Sequence, residues 1–127
     1  MLRATKMNII NYIDRPRMME LMIDAGADIE TRGEYRDTAL ILASYKGYIE
    51  VVKLLLKANA NVEARNNNGC TALFMALCGG RAEAVELLIK VGADLKASDK
   101  IGRNALAIAL ESKHNDIVRL LREHMND

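Results

Sequence analysis

Cys70, Cys78 and His114 are the side chains here whose types suit nucleophilic or redox chemistry, and their spacing argues against both. With Cys70 ahead of a helix and Cys78 near its end, a rise of 1.5 Å per residue separates them by roughly 10 Å, too far for a disulfide. A metal centre needs more cysteine, histidine or carboxylate ligands at metal spacing. Two free small residues is the plainer reading. Cys78 with His114 is the one conceivable nucleophile–base pair, but no third orienting group or anion-binding glycine loop accompanies it. Gly79-Gly80 has the composition of a phosphate loop without the glycine-lysine pattern or the preceding strand. No catalytic residue, cofactor or metal is expected.

The elements that position these residues recur. Thr38-Ala39-Leu40, Thr71-Ala72-Leu73 and Asn104-Ala105-Leu106 overlay at a spacing of 33 residues. At the same spacing Val52, Leu54 and Leu55 match Val85, Leu87 and Leu88, and then Val118, Leu120 and Leu121. Gly26-Ala27-Asp28, Asn59-Ala60-Asn61 and Gly92-Ala93-Asp94 close the pattern. A fixed period of this size marks stacked units. Within one unit, Ala39, Leu40, Leu42 and Ala43 form a helical stripe that Thr38 can cap and Gly47 can end in a left-handed conformation. Residues 50–57 read as a second helix ending at Asn59, which tolerates positive φ. Each unit is therefore helix, tight turn, helix, extended loop. No unit can bury Leu54 and Leu55 alone, so stacking must build one elongated core.

The 33-residue unit resembles the ankyrin repeat, most clearly in Asn67-Asn68-Gly69-Cys70-Thr71-Ala72-Leu73 followed by Val85, Leu87, Leu88, Gly92 and Ala93. The resemblance implies an all-α ankyrin-repeat solenoid, a single domain over residues 1–127. The expected cuts are 1–32 (partial, or an N-terminal cap), 33–65, 66–98 and 99–127 (the C-terminal cap). Arg122 stands where Ile23, Leu56 and Ile89 stand, as suits a solvated last unit. At the front, Thr5, Met7, Leu21 and Met22 fall in register with Thr38, Leu40, Leu54 and Leu55, and Pro16 suits the first turn of a helix. Either Met1 opens a degenerate cap or the chain was cut from something longer; both readings stay open.

Departures from the family pattern are local. Its proline is Ala39, Ala72 and Ala105, and its histidine is Ile41, Phe74 and Ala107, so apolar packing must replace the threonine–histidine bond. Its asparagine near the unit's end is Glu30, Glu63 and Lys96, which argues against asparagine hydroxylation. Arg36 stands where Gly69 and Gly102 stand, so the second unit's loop should differ from the others.

The resemblance also implies where a partner would sit: on the concave face made by loop tips and first helices. In register, that face comprises Tyr12, Tyr35, Asp37, Tyr45, Lys46 and Tyr48. It continues with Asn67, Asn68, Cys78 and Arg81, and with Lys100, Ile101, Arg103, Glu111 and Ser112; Cys70 and His114 also fall there. Tyrosine offers large contact area at low entropic cost. Tyr48, and to a lesser degree Tyr35 and Tyr45, could instead shield the stack. An exposed Ile101 at a loop tip is unusual unless a partner covers it.

Charge is balanced within each unit and the net charge is +1, so no basic stripe for nucleic acid exists. No apolar run is long enough to span a membrane and no signal-peptide core is evident. With two cysteines and no secretory signal, an intracellular, cytoplasmic setting is expected, with the nucleus as the second choice. The expected function is non-catalytic recognition of another protein, by a monomer. The alternatives are a regulatory or targeting fragment of a larger enzyme, channel or secreted effector, and a small stand-alone enzyme inhibitor.

Overall fold

The computed structural model describes residues 8–125. Their helices are α1 (Pro16–Asp24), α2 (Ala39–Lys46), α3 (Ile49–Lys57), α4 (Ala72–Cys78), α5 (Ala82–Lys90), α6 (Ala105–Glu111) and α7 (Asn115–Met125), with short 3-10 turns at Ile9–Tyr12 and Glu34–Arg36. The described residues contain no strand, only an isolated bridge between Ser98 and Asn104.

The repeated residues make the helix ends. Thr38 Oγ1 accepts from the Ile41 amide at 3.2 Å, Thr71 Oγ1 from Phe74 at 3.3 Å and Asn104 Oδ1 from Ala107 at 2.9 Å. Each bond satisfies one of the otherwise orphaned first-turn donors. Gly47 ends α2 in the left-handed region with φ 74°, and Asn59 takes φ 65° after α3. Pro16 occupies the first turn of α1, where its missing amide hydrogen costs nothing.

Helices α2, α4 and α6 pack side by side as one layer, and α1, α3, α5 and α7 as a second, each first helix lying against its own second helix. Met22, Leu55, Leu88 and Leu121 are buried at equivalent positions of the second layer and run as a row, not around a single centre. The core is continuous from Ile9 to Leu121. Ile23, Leu56 and Ile89 are half-buried, whereas Arg122 is exposed.

A polar ladder with the same pitch ties the loops. Arg32 Nη1 donates to the carbonyls of Arg36 and Arg65, both at 2.8 Å. One unit on, Arg65 Nη1 donates to Gly69 at 3.2 Å and Ser98 at 2.8 Å. The Glu30 carboxylate accepts the Asn61 amide and that of Glu63 the Asp94 amide, each at 2.9 Å. Charge-assisted bonds of this kind are the stronger ones. The two glutamates that depart from the family asparagine thus carry bonds between neighbouring units.

The first unit departs from its sequence reading. Thr5 and Met7 lie outside the described residues. Among the described residues, the segment ahead of α1 holds the turn Ile9–Tyr12, its Asn8 Oδ1 accepting the Ile10 amide at 2.9 Å. Tyr12 therefore sits on a 3-10 turn and not, like Tyr45, near the end of an α-helix.

Two positions in the first-helix layer are finely poised. Gly79 lies so close to α2 that a Cβ there would run into the Tyr45 carbonyl oxygen. Ser44, fully buried, has a hydroxyl without a hydrogen-bond partner, at the position where the next unit has Leu77. Gly79→Ala is expected to cost about 1–3 kcal/mol by overpacking. Ser44→Ala should raise stability by about 1 kcal/mol, because an unpartnered buried hydroxyl is lost and alanine favours the helix. Urea denaturation of the two variants beside the parent chain checks both signs.

Candidate functional site

The loop tips precede the first helices, and their shape follows from one residue per loop. Asn66 Oδ1 accepts the amides of Asn68 and Cys70 at 2.9 and 3.0 Å. One unit on, Asp99 Oδ1 accepts those of Ile101 and Arg103 at 3.0 and 2.9 Å. The equivalent residue of the preceding loop is Gly33, which has no side chain to accept anything. Its amide still donates to the Asp37 carbonyl at 2.9 Å, but the tip closes as a 3-10 turn.

That turn places Tyr35 at φ 56° and Arg36 at φ 59°, both left-handed. Side chains with a Cβ pay roughly 1–2 kcal/mol each for that region. The arrangement is held by the Arg32 bond to the Arg36 carbonyl at 2.8 Å and by the Asn67 amide donating to the Tyr35 carbonyl at 2.8 Å. Arg36 stands where the other loops have Gly69 and Gly102. The absent acceptor at Gly33, legible from the Gly33, Asn66, Asp99 register, is the second departure of this loop. The outcome is that Tyr35 projects outward, 68% exposed.

Tyr35 and Tyr45 line one groove of about 560 Å³. Ile10, Leu42 and Met75 give it apolar surface above the buried Ile41, and Asn8 and Asn11 also line it. Glu34 and Asp37 line the loop side, and Lys46 stands at the end of α2. Met75 is shared with a second depression of about 380 Å³, which also holds Cys70, Cys78, Lys100, Ile101 and Arg103. Both volumes fall in the range of small-ligand and peptide clefts.

The other nominated residues divide. Lys46, Asn67, Asn68, Cys78 and Lys100 are exposed, as are Glu111 and Ser112, and Ile101 is 80% exposed. Arg81 is exposed, yet its Nε donates to the Tyr45 carbonyl at 3.0 Å, so it ties α2 to the next unit. Arg103 pairs with Asp99 at 3.0 Å and reaches Glu111 at 3.7 Å. Burial opposes the charged form of Asp99, but hydrogen bonds from the Arg103 backbone and side chain and from the Ile101 amide outweigh it and hold its pKa below the usual value.

Burial sets three of these residues apart from the exposed ones. Asp37 is a buried residue whose Oδ1 accepts from Asn66 Nδ2 at 2.9 Å, because the loops need that tie where they leave the stack. Tyr48 is half-buried against the core and lines a crease with Ile13 and Pro16, away from the Tyr35–Tyr45 groove. Tyr12 is likewise packed against the core, with the Arg15 guanidinium 6.0 Å from its ring centre.

Cys70 is buried and Cys78 exposed, and both are free thiols. Burial, followed by the neighbouring Cys78, pushes the Cys70 thiol from 9.0 up to about 11. Burial of the sulfur among its neighbours also raises Cys78, against a lowering pull from Arg103. His114 lies over Gly80 and makes no hydrogen bond to Cys78 among the described residues. Neither thiol is activated.

The folded Cys70 thiol keeps its proton up to about pH 11, whereas the unfolded chain releases it near 9.0. This contribution to stability is complete below pH 9 and is lost as pH rises toward 11. The melting temperature is expected to fall across that window, and to fall less in Cys70→Ala. At pH 8, a thiol-reactive dye should label Cys78 more slowly than a free thiol and Cys70 only on unfolding. Scanning calorimetry against pH and a stopped labelling time course check the two.

Among the described residues, no helix is long and apolar enough to cross a membrane and no group of three or more histidine, cysteine or carboxylate side chains could hold a metal. No curated protein matches the chain. A family model described as ankyrin repeats (3 copies) matches residues 7–99 and again 59–127. With its helix pairs stacked in two layers and its loops tied at the 33-residue pitch of the Arg32–Arg65 contact, the chain belongs to the ankyrin repeat family.

Proposed function

We propose that this chain binds a partner protein, without catalysis, through the concave face that loop tips and first helices form in its family. Ankyrin repeats are generally protein–protein interaction modules and generally non-catalytic. The observation that carries the reading is that Tyr35 and Tyr45, on different elements, line one apolar groove while staying 68% and 43% exposed. Large aromatic side chains half out of water are the usual anchors of an interface. Ile101, with Asn67, Asn68 and Lys100 on the adjoining tips, extends the same surface and would set specificity. The loops are bonded to one another through Asn67 to Tyr35 and Lys100 to Asn68, so little ordering entropy is lost on docking.

Tyr35→Ala and Tyr45→Ala should each weaken partner binding about 30-fold, the loss of roughly 2 kcal/mol typical of an anchor. The melting temperature should change little, because neither side chain is buried. The measurement is capture from source lysate on immobilised chain, comparing the double variant with Lys53→Ala/Lys57→Ala on α3. A species retained by the double variant but lost from the α3 variant would move the binding face to the second helices. A large stability loss with binding intact would make the tyrosines structural.

A further inference from the structure

We propose that the Tyr35–Tyr45 groove takes a short extended segment of a partner protein, carrying a basic residue at one end, an acidic residue three or four positions away, and an apolar residue between them. This rests on the concave-face reading above and adds the chemistry of the occupant.

The charges along the groove are segregated. Its loop wall carries the carboxylates of Glu34 and Asp37, and its other end carries Lys46; no other charged residue lines it. Among the described residues, none of the three is in an ion pair. Asp37 has one oxygen bonded to Asn66 Nδ2 and adds its charge to that wall from a buried position. Arg32, on the loop's stem, spends its Nη1 on two backbone carbonyls, and the exposed Arg36 at the tip does not line the groove. A basic side chain is therefore drawn to the loop wall, where it can also lie against the exposed face of Tyr35. An acidic side chain is drawn to Lys46.

The apolar requirement comes from the surface between them. Leu42 and Met75, both half-buried, floor the groove beside the Tyr45 ring, and only an apolar side chain gains from covering them. The spacing comes from α2, which separates the two charged ends. It has eight residues and is therefore about 12 Å long. An extended chain covers that span in about three to four residues at ~3.3–3.6 Å each. The side-chain amides of Asn8 and Asn11, which also line the groove, offer donors and acceptors to an extended backbone.

The test is a phage-displayed library of random peptides selected on the full chain, followed by fluorescence anisotropy with synthetic peptides. Enriched peptides should carry the basic–apolar–acidic order at that spacing, in either chain direction. Such a peptide should bind about tenfold more tightly than versions with two basic or two acidic ends, each of which loses one partly exposed charge contact and gains one like-charge repulsion. Lys46→Glu, an exposed and unpaired position, should switch the preference to the peptide with two basic ends, and Tyr45→Ala should abolish binding of all of them. Circular dichroism of each variant verifies that it is folded. Peptides lost with Tyr45→Ala but lacking the pattern, or indifferent to Lys46→Glu, overturn this proposal and leave the concave-face reading standing. Peptides that bind equally to the Tyr35→Ala/Tyr45→Ala variant overturn both. A selection that enriches nothing overturns the proposal as well, since the groove would then hold no short segment.

Discussion

No helix pair in this protein can keep its own apolar side dry, and everything else follows from that constraint. Leu55, Leu88 and Leu121 are fully buried because a neighbouring pair lies across each of them. Burying such a side chain is worth roughly 1.5–3 kcal/mol, and a single unit cannot collect it. Stability is then a sum over units and the junctions between them. The polar ladder obeys the same logic: the donors and acceptors on Arg32, Glu30, Arg65 and Glu63 reach into the following unit.

A stack of this kind leaves its loops and first helices free for other work. The loop tips need not close a core, so their sequences can vary provided that each backbone group finds a partner. The tips at Asn66 and Asp99 satisfy theirs with a side-chain oxygen. The tip at Gly33 cannot, and its backbone folds into a tighter turn with two left-handed non-glycine residues. The most exposed tyrosine of the chain sits on that turn. Local strain and outward display of an aromatic ring coincide at the residue with the strongest claim to a partner.

Some residues that register alone places on the partner face also tie neighbouring units together. Asp37 and Arg81 look like face residues when the units are overlaid, because the overlay reports position and not occupancy. The Asp37 carboxylate is engaged with Asn66, and Arg81 reaches back to the Tyr45 carbonyl across Gly79. The close approach at Gly79 marks the junction between α2 and α4. Ala43, Ser44 and Ala76, small and fully buried, lie on the same two helices.

The sequence alone determined the period, the helix pairs, their caps and the residues that face inward, because these depend on spacing along the chain and on the chemistry of single side chains. Thr38, Thr71 and Asn104 cap where their hydroxyl or amide oxygen can reach a first-turn amide, a distance set within one turn. Only the tertiary structure decided which polar side chains are taken up between units, that Tyr48 and Tyr12 turn to the core, and that Tyr35 meets Tyr45 across one groove. Those outcomes depend on how closely neighbouring units approach and on which backbone groups are left without partners. Neither quantity is encoded in any one repeat; both arise only when two repeats touch.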